Sequence, residues 1–153
     1  MKIELALKED LTDILKLQKL AYQSEARIYN DFMIPPLLQT LEQINDDFEN
    51  QMFLKATVNK QIVGSVRAYK EIDTCYIGRL IVHPDFQNQG IGTSLINAIE
   101  ARFCNLKRYE LFTGHKSKKN LYLYQKLGYK QFRTYRIHER LQMIYLEKNG
   151  INQ

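Results

Sequence analysis

At 153 residues, with 44% hydrophobic and 25% charged residues, the chain has the size and composition of one soluble globular domain with a substantial core. No apolar run approaches the length of a membrane span, so a membrane partner is not expected. The two cysteines, Cys75 and Cys104, and the three histidines lack metal-ligand spacing, so no metal is expected. Lys2, Glu4, Lys8, Glu9 and Asp10 break up the N-terminal stretch. A secretory signal is therefore not expected, and the reading is a cytoplasmic protein with reduced thiols.

The net charge of +5 is unevenly spread. Residues 1–50 carry ten acids against five bases, and residues 107–140 carry ten bases against two acids. A basic segment attracts polyanions, nucleic acid among them. No nucleic-acid motif accompanies it, so nucleic acid is not the favoured partner.

In chain order, Lys2 to Leu7 alternates and reads as a first strand. Asp10 then suits an N-cap, and Leu11, Ile14, Leu15 and Ala21 trace a helical face to about Gln23. Ser24 to Pro36 reads as irregular, because Pro35-Pro36 bars regular structure. Helical spacing resumes over Leu37 to Glu49. Met52 to Val58 and Ile62 to Lys70 form a hairpin around Asn59-Lys60-Gln61. Tyr76 to Val82 is the next strand. After a loop, Leu95, Ile99 and Phe103 stack at i, i+4 spacing on a helix. Tyr109 to Thr113 is a strand, and Asn120 to Leu127 a short helix with Gly128 at its C′ position. Tyr129 to Tyr135 and Leu141 to Leu146 close the chain as strands. The order β-α-α-β-β-β-α-β-α-β-β implies an α/β (α+β) fold, a mixed sheet with helices on both faces.

The stretch Leu80 to Leu95 organises this order. Leu80, Ile81 and Val82 end a strand, and Pro84 stops its ladder because it has no N–H. Gly90 and Gly92 let the backbone approach a ligand, and a helix follows. The unpaired N–H groups and positive dipole of a helix N-terminus hold phosphate. The motif is neither a P-loop, which needs a Lys after the glycine, nor a dinucleotide fingerprint, whose third glycine is Leu95 here.

Gln87-x-x-Gly90-x-Gly92, preceded by Val82-x-Pro84, resembles the acetyl-CoA loop of the GNAT superfamily of N-acetyltransferases. The resemblance extends to the element order and implies a mostly antiparallel GNAT-like sheet over a single N-acetyltransferase domain, residues 1–153. It implies that Gln87, Asn88, Gln89, Gly90, Ile91, Gly92 and Thr93 wrap the pyrophosphate of acetyl-CoA. It further implies that the backbone of Leu80, Ile81 and Val82, on a strand splayed from its neighbour, pairs with the pantetheine.

A second resemblance lies at Leu123-Tyr124-Gln125-Lys126-Leu127-Gly128-Tyr129, which is similar to the L-Y-x-K-L-G-[F/Y] segment of the family. It implies that Tyr124 is the general acid for the departing thiolate. A phenol with an ordinary pKa of about 10 keeps its proton at neutral pH. Upstream, Ser117 stands where the family has Asn, and Asn120 where it has Ala; either side chain could bond CoA. The strand before the loop carries no acid. Glu71, Asp73, His115 and a water held by Tyr76 are the candidates for the base.

The resemblance implies transfer of acetyl from acetyl-CoA to a primary amine by direct attack in a ternary complex. Neither cysteine lies in a nucleophile motif. Tyr22, Tyr29, Phe32 and Pro35-Pro36 stand where the family builds its acceptor pocket. If the acidic excess of residues 1–50 faces that pocket, a cationic small-molecule or peptide amine is favoured. A homodimer is a family-level expectation. The alternative is a non-catalytic acyl-CoA-binding regulatory module of the same fold.

Overall fold

The computed structural model describes residues 1–150. One seven-stranded sheet runs in the order β1-β2-β3-β4-β5-β7-β6, antiparallel at every pairing except β4 with β5. The strands are β1 (Lys2–Leu5), β2 (Met52–Val58), β3 (Gln61–Glu71), β4 (Thr74–Val82), β5 (Arg108–Gly114), β6 (Lys130–His138) and β7 (Leu141–Asn149). The β2–β3 hairpin turns on Asn59 and Lys60, both at positive φ, the conformation whose twist matches the flanking strands.

Helices cover both faces. On one face lie α1 (Leu11–Ala21) and α4 (Leu41–Asn50). There Leu11, Ile14 and Ile44 bury against Phe53 and Ala6. On the other lie α5 (Ile91–Arg102) and α6 (Lys118–Lys126). Ile91, Leu95, Ile96 and Ile99 of α5 and Tyr124 of α6 pack there on Leu54, Val66, Ala68 and Ile77. No helix among the described residues is long and apolar enough to cross a membrane.

The first fifty residues depart most from the sequence reading. Ser24 to Pro36 is not irregular: α2 (Gln23–Tyr29) and the short α3 (Pro35–Leu38) occupy it. Ala26 and Tyr29 sit three apart on one face of α2, and burying both stabilises the turn. Pro35 and Pro36 start α3 rather than bar it, because N–H groups in the first helical turn have no intrahelical partner to lose. The stretch read as one helix from Leu37 breaks at Gln39-Thr40. Thr40 Oγ1 accepts from Gln43 N (3.2 Å) and Gln43 Oε1 from Thr40 N (3.0 Å), a capping box that starts α4 afresh. Thr40→Ala should lower stability by about 1 kcal/mol, a drop of about 3 °C in the thermal midpoint by calorimetry. Asp10 stands at the α1 N-cap position, but its carboxylate accepts from Leu7 N and Lys55 Nζ instead.

Two departures from regular sheet geometry position the site. β4 pairs with β5 only through Thr74, Cys75 and Tyr76, so Ile77 to Val82 diverge from the next strand. Within β4, the register against β3 slips between Ser65 and Arg67, and Arg79 takes the left-handed conformation (φ 49°). This is a β-bulge, which bends the strand and re-aims its side chains.

Candidate active site

The loop after β4 follows from its sequence. His83 N makes the last ladder bond, to Val63 O (2.7 Å), and Pro84 opens a single 3-10 turn. Gly90 is the N-cap of α5 at φ 81°, and a Cβ built on it would meet nothing within 4 Å. The backbone there faces open space in a conformation that glycine adopts freely. The first intrahelical bond runs from Ser94 N to Gly90 O, which leaves the N–H groups of Ile91, Gly92 and Thr93 aimed outward. Gly92 serves a different need: a Cβ there would press on Leu123 Cδ2 at 3.3 Å, so its absence lets α6 close against α5.

A groove of about 570 Å³ runs along this loop and the divergent end of β4. Leu80, Ile81, Val82, Gln87, Asn88, Gly90, Ile91, Gly92, Thr93 and Asn120 all line it; the exposed Gln89 does not. Lys116, Lys118, Lys119 and Lys126 line it as well, which brings four cations of the basic segment to the same groove as the helix N-terminus. Unpaired donors, an uncovered strand edge and excess positive charge fit a long ligand ending in phosphates.

A second cavity of about 680 Å³ is lined by Tyr76 to Leu80 of β4 and Glu110 to Gly114 of β5. Tyr22, Glu25, Leu80, Ser117 and Asn120 line both cavities, so the two meet there. Tyr124, one turn after Asn120, lines the second cavity. Its position follows from local chemistry. Gly128 sits at φ 98° as the C′ residue of α6. Tyr129 N bonds Tyr124 O (3.0 Å) and Gly128 N bonds Gln125 O (3.1 Å). These are the two bonds of a Schellman motif, and the Tyr124 and Tyr129 rings supply its apolar contact (centroids 6.2 Å). Tyr129 is in turn held by Glu100, which accepts its hydroxyl hydrogen (2.7 Å). Burial, with Tyr22 and Glu25 nearby, holds the Tyr124 hydroxyl pKa well above the ordinary phenol range.

Glu25 is the residue the sequence reading missed. One carboxylate oxygen accepts from Ser117 Oγ (2.6 Å) and the other from Asn120 Nδ2 (3.1 Å). Tyr29 Oη lies 2.7 Å from Ser117 Oγ and accepts from Lys116 N (2.9 Å). Gly114 makes room for Tyr29, since a Cβ there would run into that hydroxyl. Ser117 and Asn120 are thus both tied to Glu25 at the junction. The available signal was the spacing of Tyr22, Ala26 and Tyr29, which puts Glu25 on a helix beside them.

Other expected groups lie elsewhere. Glu71 and Asp73 sit at the exposed β3–β4 turn and line neither cavity. His115 Nδ1 accepts from Gln142 N (3.0 Å) and its ring packs on Tyr29. Tyr76 lines the second cavity, with Tyr22, Tyr29, Pro35 and Pro36, whereas Phe32 is exposed. Of the ten acids in residues 1–50, Glu25, Asp31 and Asp47 line it. Asp31 bonds His138 (2.9 Å) and Asp47 bonds Arg67 (2.9 Å), whereas the donors to Glu25 are both neutral.

The comparisons agree with this geometry. Residues 17–149 match the family model described as the acetyltransferase (GNAT) domain. UPF0157 protein YqkA of Bacillus subtilis is 27% identical over 122 residues; these are 80% of this chain, which spans only 35% of that relative's length. A GNAT family acetyltransferase from Elizabethkingia anophelis with acetyl-CoA bound is similar at 27% identity and a TM-score of 0.65, over 77% of this chain and 86% of that one. The ribosomal-protein-S18-alanine N-acetyltransferase of Escherichia coli shares the fold, with a TM-score of 0.81 at 16% identity over 99% of this chain and 97% of that one. So does the PaiA N-acetyltransferase of Thermoplasma acidophilum in complex with coenzyme A, with a TM-score of 0.79 at 16% identity over 97% and 99%. With the loop, the divergent strand and the matched domain together, the chain belongs to the GNAT acetyltransferase family.

Proposed function

We propose that the chain is a single N-acetyltransferase domain, acting in the cytoplasm on a primary amine by direct attack in a ternary complex. The observation that carries this reading is the meeting of the two cavities at Tyr22, Glu25, Leu80, Ser117 and Asn120. The groove residues would hold acetyl-CoA, which supplies an activated acetyl thioester. The N–H groups of Ile91, Gly92 and Thr93 and the groove lysines bind its phosphates. The free edge of β4 from Leu80 to Val82 aligns the pantetheine and offers N–H groups to the thioester oxygen. Gln87 and Asn88 shape the loop, and the exposed Gln89 has no side-chain part.

On the other side, Glu25 accepts the proton that an ammonium must lose before it can attack. Ser117 and Asn120 orient that carboxylate, so their part is positioning rather than direct hold on the coenzyme. Tyr124 donates its hydroxyl hydrogen to the departing sulfur. Cys75 is no nucleophile: burial, helped by Glu100, pushes its thiol up to about 12, and it lines neither cavity.

The test is CoA release from acetyl-CoA against polyamines, amino acids, aminoglycosides, and lysyl and N-terminal peptides, read by chromatography. Release with one amine class is expected. Acetyl-CoA binding with no release for any amine would replace this reading with a binding module of the same fold. Glu25→Gln should lower kcat/KM about 10²-fold at neutral pH. The deficit should shrink as pH approaches the amine's own pKa, about 10, where the solution amine has already lost its proton. A deficit that stays constant with pH would assign Glu25 a structural part only.

A further inference from the structure

Arg79 has an unusual position for a cation. In an unbroken strand its side chain would share the face of Ile77, which is buried in the α5 side of the core. The bulge and the left-handed backbone at Arg79 turn it to the other face. There Arg79 Nη1 reaches Gln39 Oε1 (3.4 Å), the same oxygen that Arg67 Nη1 reaches at 3.4 Å. A non-glycine residue at positive φ is strained and persists where the surroundings enforce it.

The two guanidiniums are not equally neutralised. Arg67 pairs with Asp47 (2.9 Å). Arg79 has only the neutral Gln39 oxygen, and among the described residues no carboxylate pairs with it. It lines the acceptor cavity beside Tyr22, which also borders Glu25 at the junction. The preceding residue, Gly78, lines the same cavity, and a Cβ on it would meet nothing within 4 Å. The bulge therefore places a planar, five-donor cation next to open space, on the acceptor side of the transfer point.

We propose that Arg79 is an acceptor-anchoring residue, and that the acceptor is a small amine that also carries an oxyanion, a carboxylate or a phosphate, held by this guanidinium. This rests on the acetyltransferase reading of the same site. A guanidinium forks onto either group through two parallel hydrogen bonds, which a lysine cannot reproduce. The acceptor's amine then lies toward Glu25 and Tyr124 and its anion toward Arg79. Polyamines meet only half of that pattern.

The experiment uses matched amines in which the anion is present or absent: tyrosine with tyramine, ornithine with putrescine, phosphoethanolamine with ethanolamine. For each pair kcat/KM is measured with the unmodified chain and with Arg79→Gln and Arg79→Lys. Binding of each amine to the CoA-loaded protein is measured in parallel by calorimetry. The wild type should favour the anion-bearing member of at least one pair tenfold or more. Arg79→Gln should reduce that ratio at least tenfold, and Arg79→Lys should restore part of it. Which pairs show the ratio separates carboxylate from phosphate. CoA affinity reports that each variant is folded, since Arg79 does not line the coenzyme groove. Turnover with no anion preference, or a preference that survives Arg79→Gln, overturns the inference and leaves the transferase reading standing. Arg79-dependent binding of the anionic member without turnover keeps the anion site at Arg79 but overturns the transferase reading, and the acceptor role with it. Loss of both turnover and anion-dependent binding overturns both.

Discussion

Tyr124→Phe should lower kcat about 10²-fold with little change in the KM for acetyl-CoA, the signature of a group needed in the transition state more than in the ground state. The substitution removes one oxygen and leaves the ring. The ring contact with Tyr129 and the two hydrogen bonds that end α6 involve no hydroxyl, so the fold should be unaffected. The pKa direction adds a second, independent check. Burial first, then Tyr22 and Glu25, raise the Tyr124 pKa, so its proton is retained throughout the neutral and mildly alkaline range. The wild-type rate should therefore show no Tyr124-dependent loss on the alkaline side below pH about 10. A Tyr124→Phe protein with wild-type kcat would remove Tyr124 from the chemistry and leave it as packing.

Arg67→Ala should be the most destabilising single change in the acceptor cavity, by about 3 kcal/mol, which shifts the thermal midpoint by about 6–12 °C. Arg67 is 3% exposed. It donates to Gln18 Oε1 (2.7 Å) and Asp47 Oδ2 (2.9 Å), and its guanidinium lies 4.3 Å from the centre of the Phe53 ring. Gln18 Nε2 in turn donates to Pro36 O and Gln39 Oε1, and Gln39 Nε2 donates to Asp47. The network thus ties α1, the α3–α4 junction, α4 and β3 together behind the cavity. Burial, and Arg79 nearby, pull the Arg67 pKa down to about 10, which still leaves it charged at neutral pH. Removing it strands the buried Gln18 oxygen and leaves Asp47 without its cation, and both lose more than a surface pair would. Asp47 is the more exposed end, with 33% of its side chain open. Asp47→Asn should therefore cost less, about 1 kcal/mol. Chemical denaturation of the two variants gives the order; the reverse order would mean that the buried end is not what the network depends on.

The N-terminal fifty residues show where local pattern misled. Two prolines read as a barrier turned out to begin a helix, because a proline's missing N–H costs nothing in a first turn. A continuous helical periodicity hid a break at Gln39-Thr40, because periodicity reports which face is apolar and not where one helix stops and the next is capped.

The groove along the glycine loop was legible because it is local. Strand, Pro84, Gly90, helix N-terminus and the Leu127-Gly128 terminus of α6 are contiguous segments whose backbone geometry is set by glycine, proline and hydrophobic spacing within a few residues. The second cavity was not, because it is assembled across the sheet. Glu25 meets Ser117 and Asn120 across 92 and 95 residues of chain. Arg67 meets Asp47 across 20. A single extra residue in β4 decides which face Arg79 occupies, and side-chain alternation read from sequence assigns it to the opposite one. The chain's own sequence thus determined its family, its sheet and the glycine loop that lines the first groove. Only tertiary packing decided which carboxylate and which guanidinium line the second cavity, because those choices depend on a register slip and on long-range contacts that leave no periodic trace.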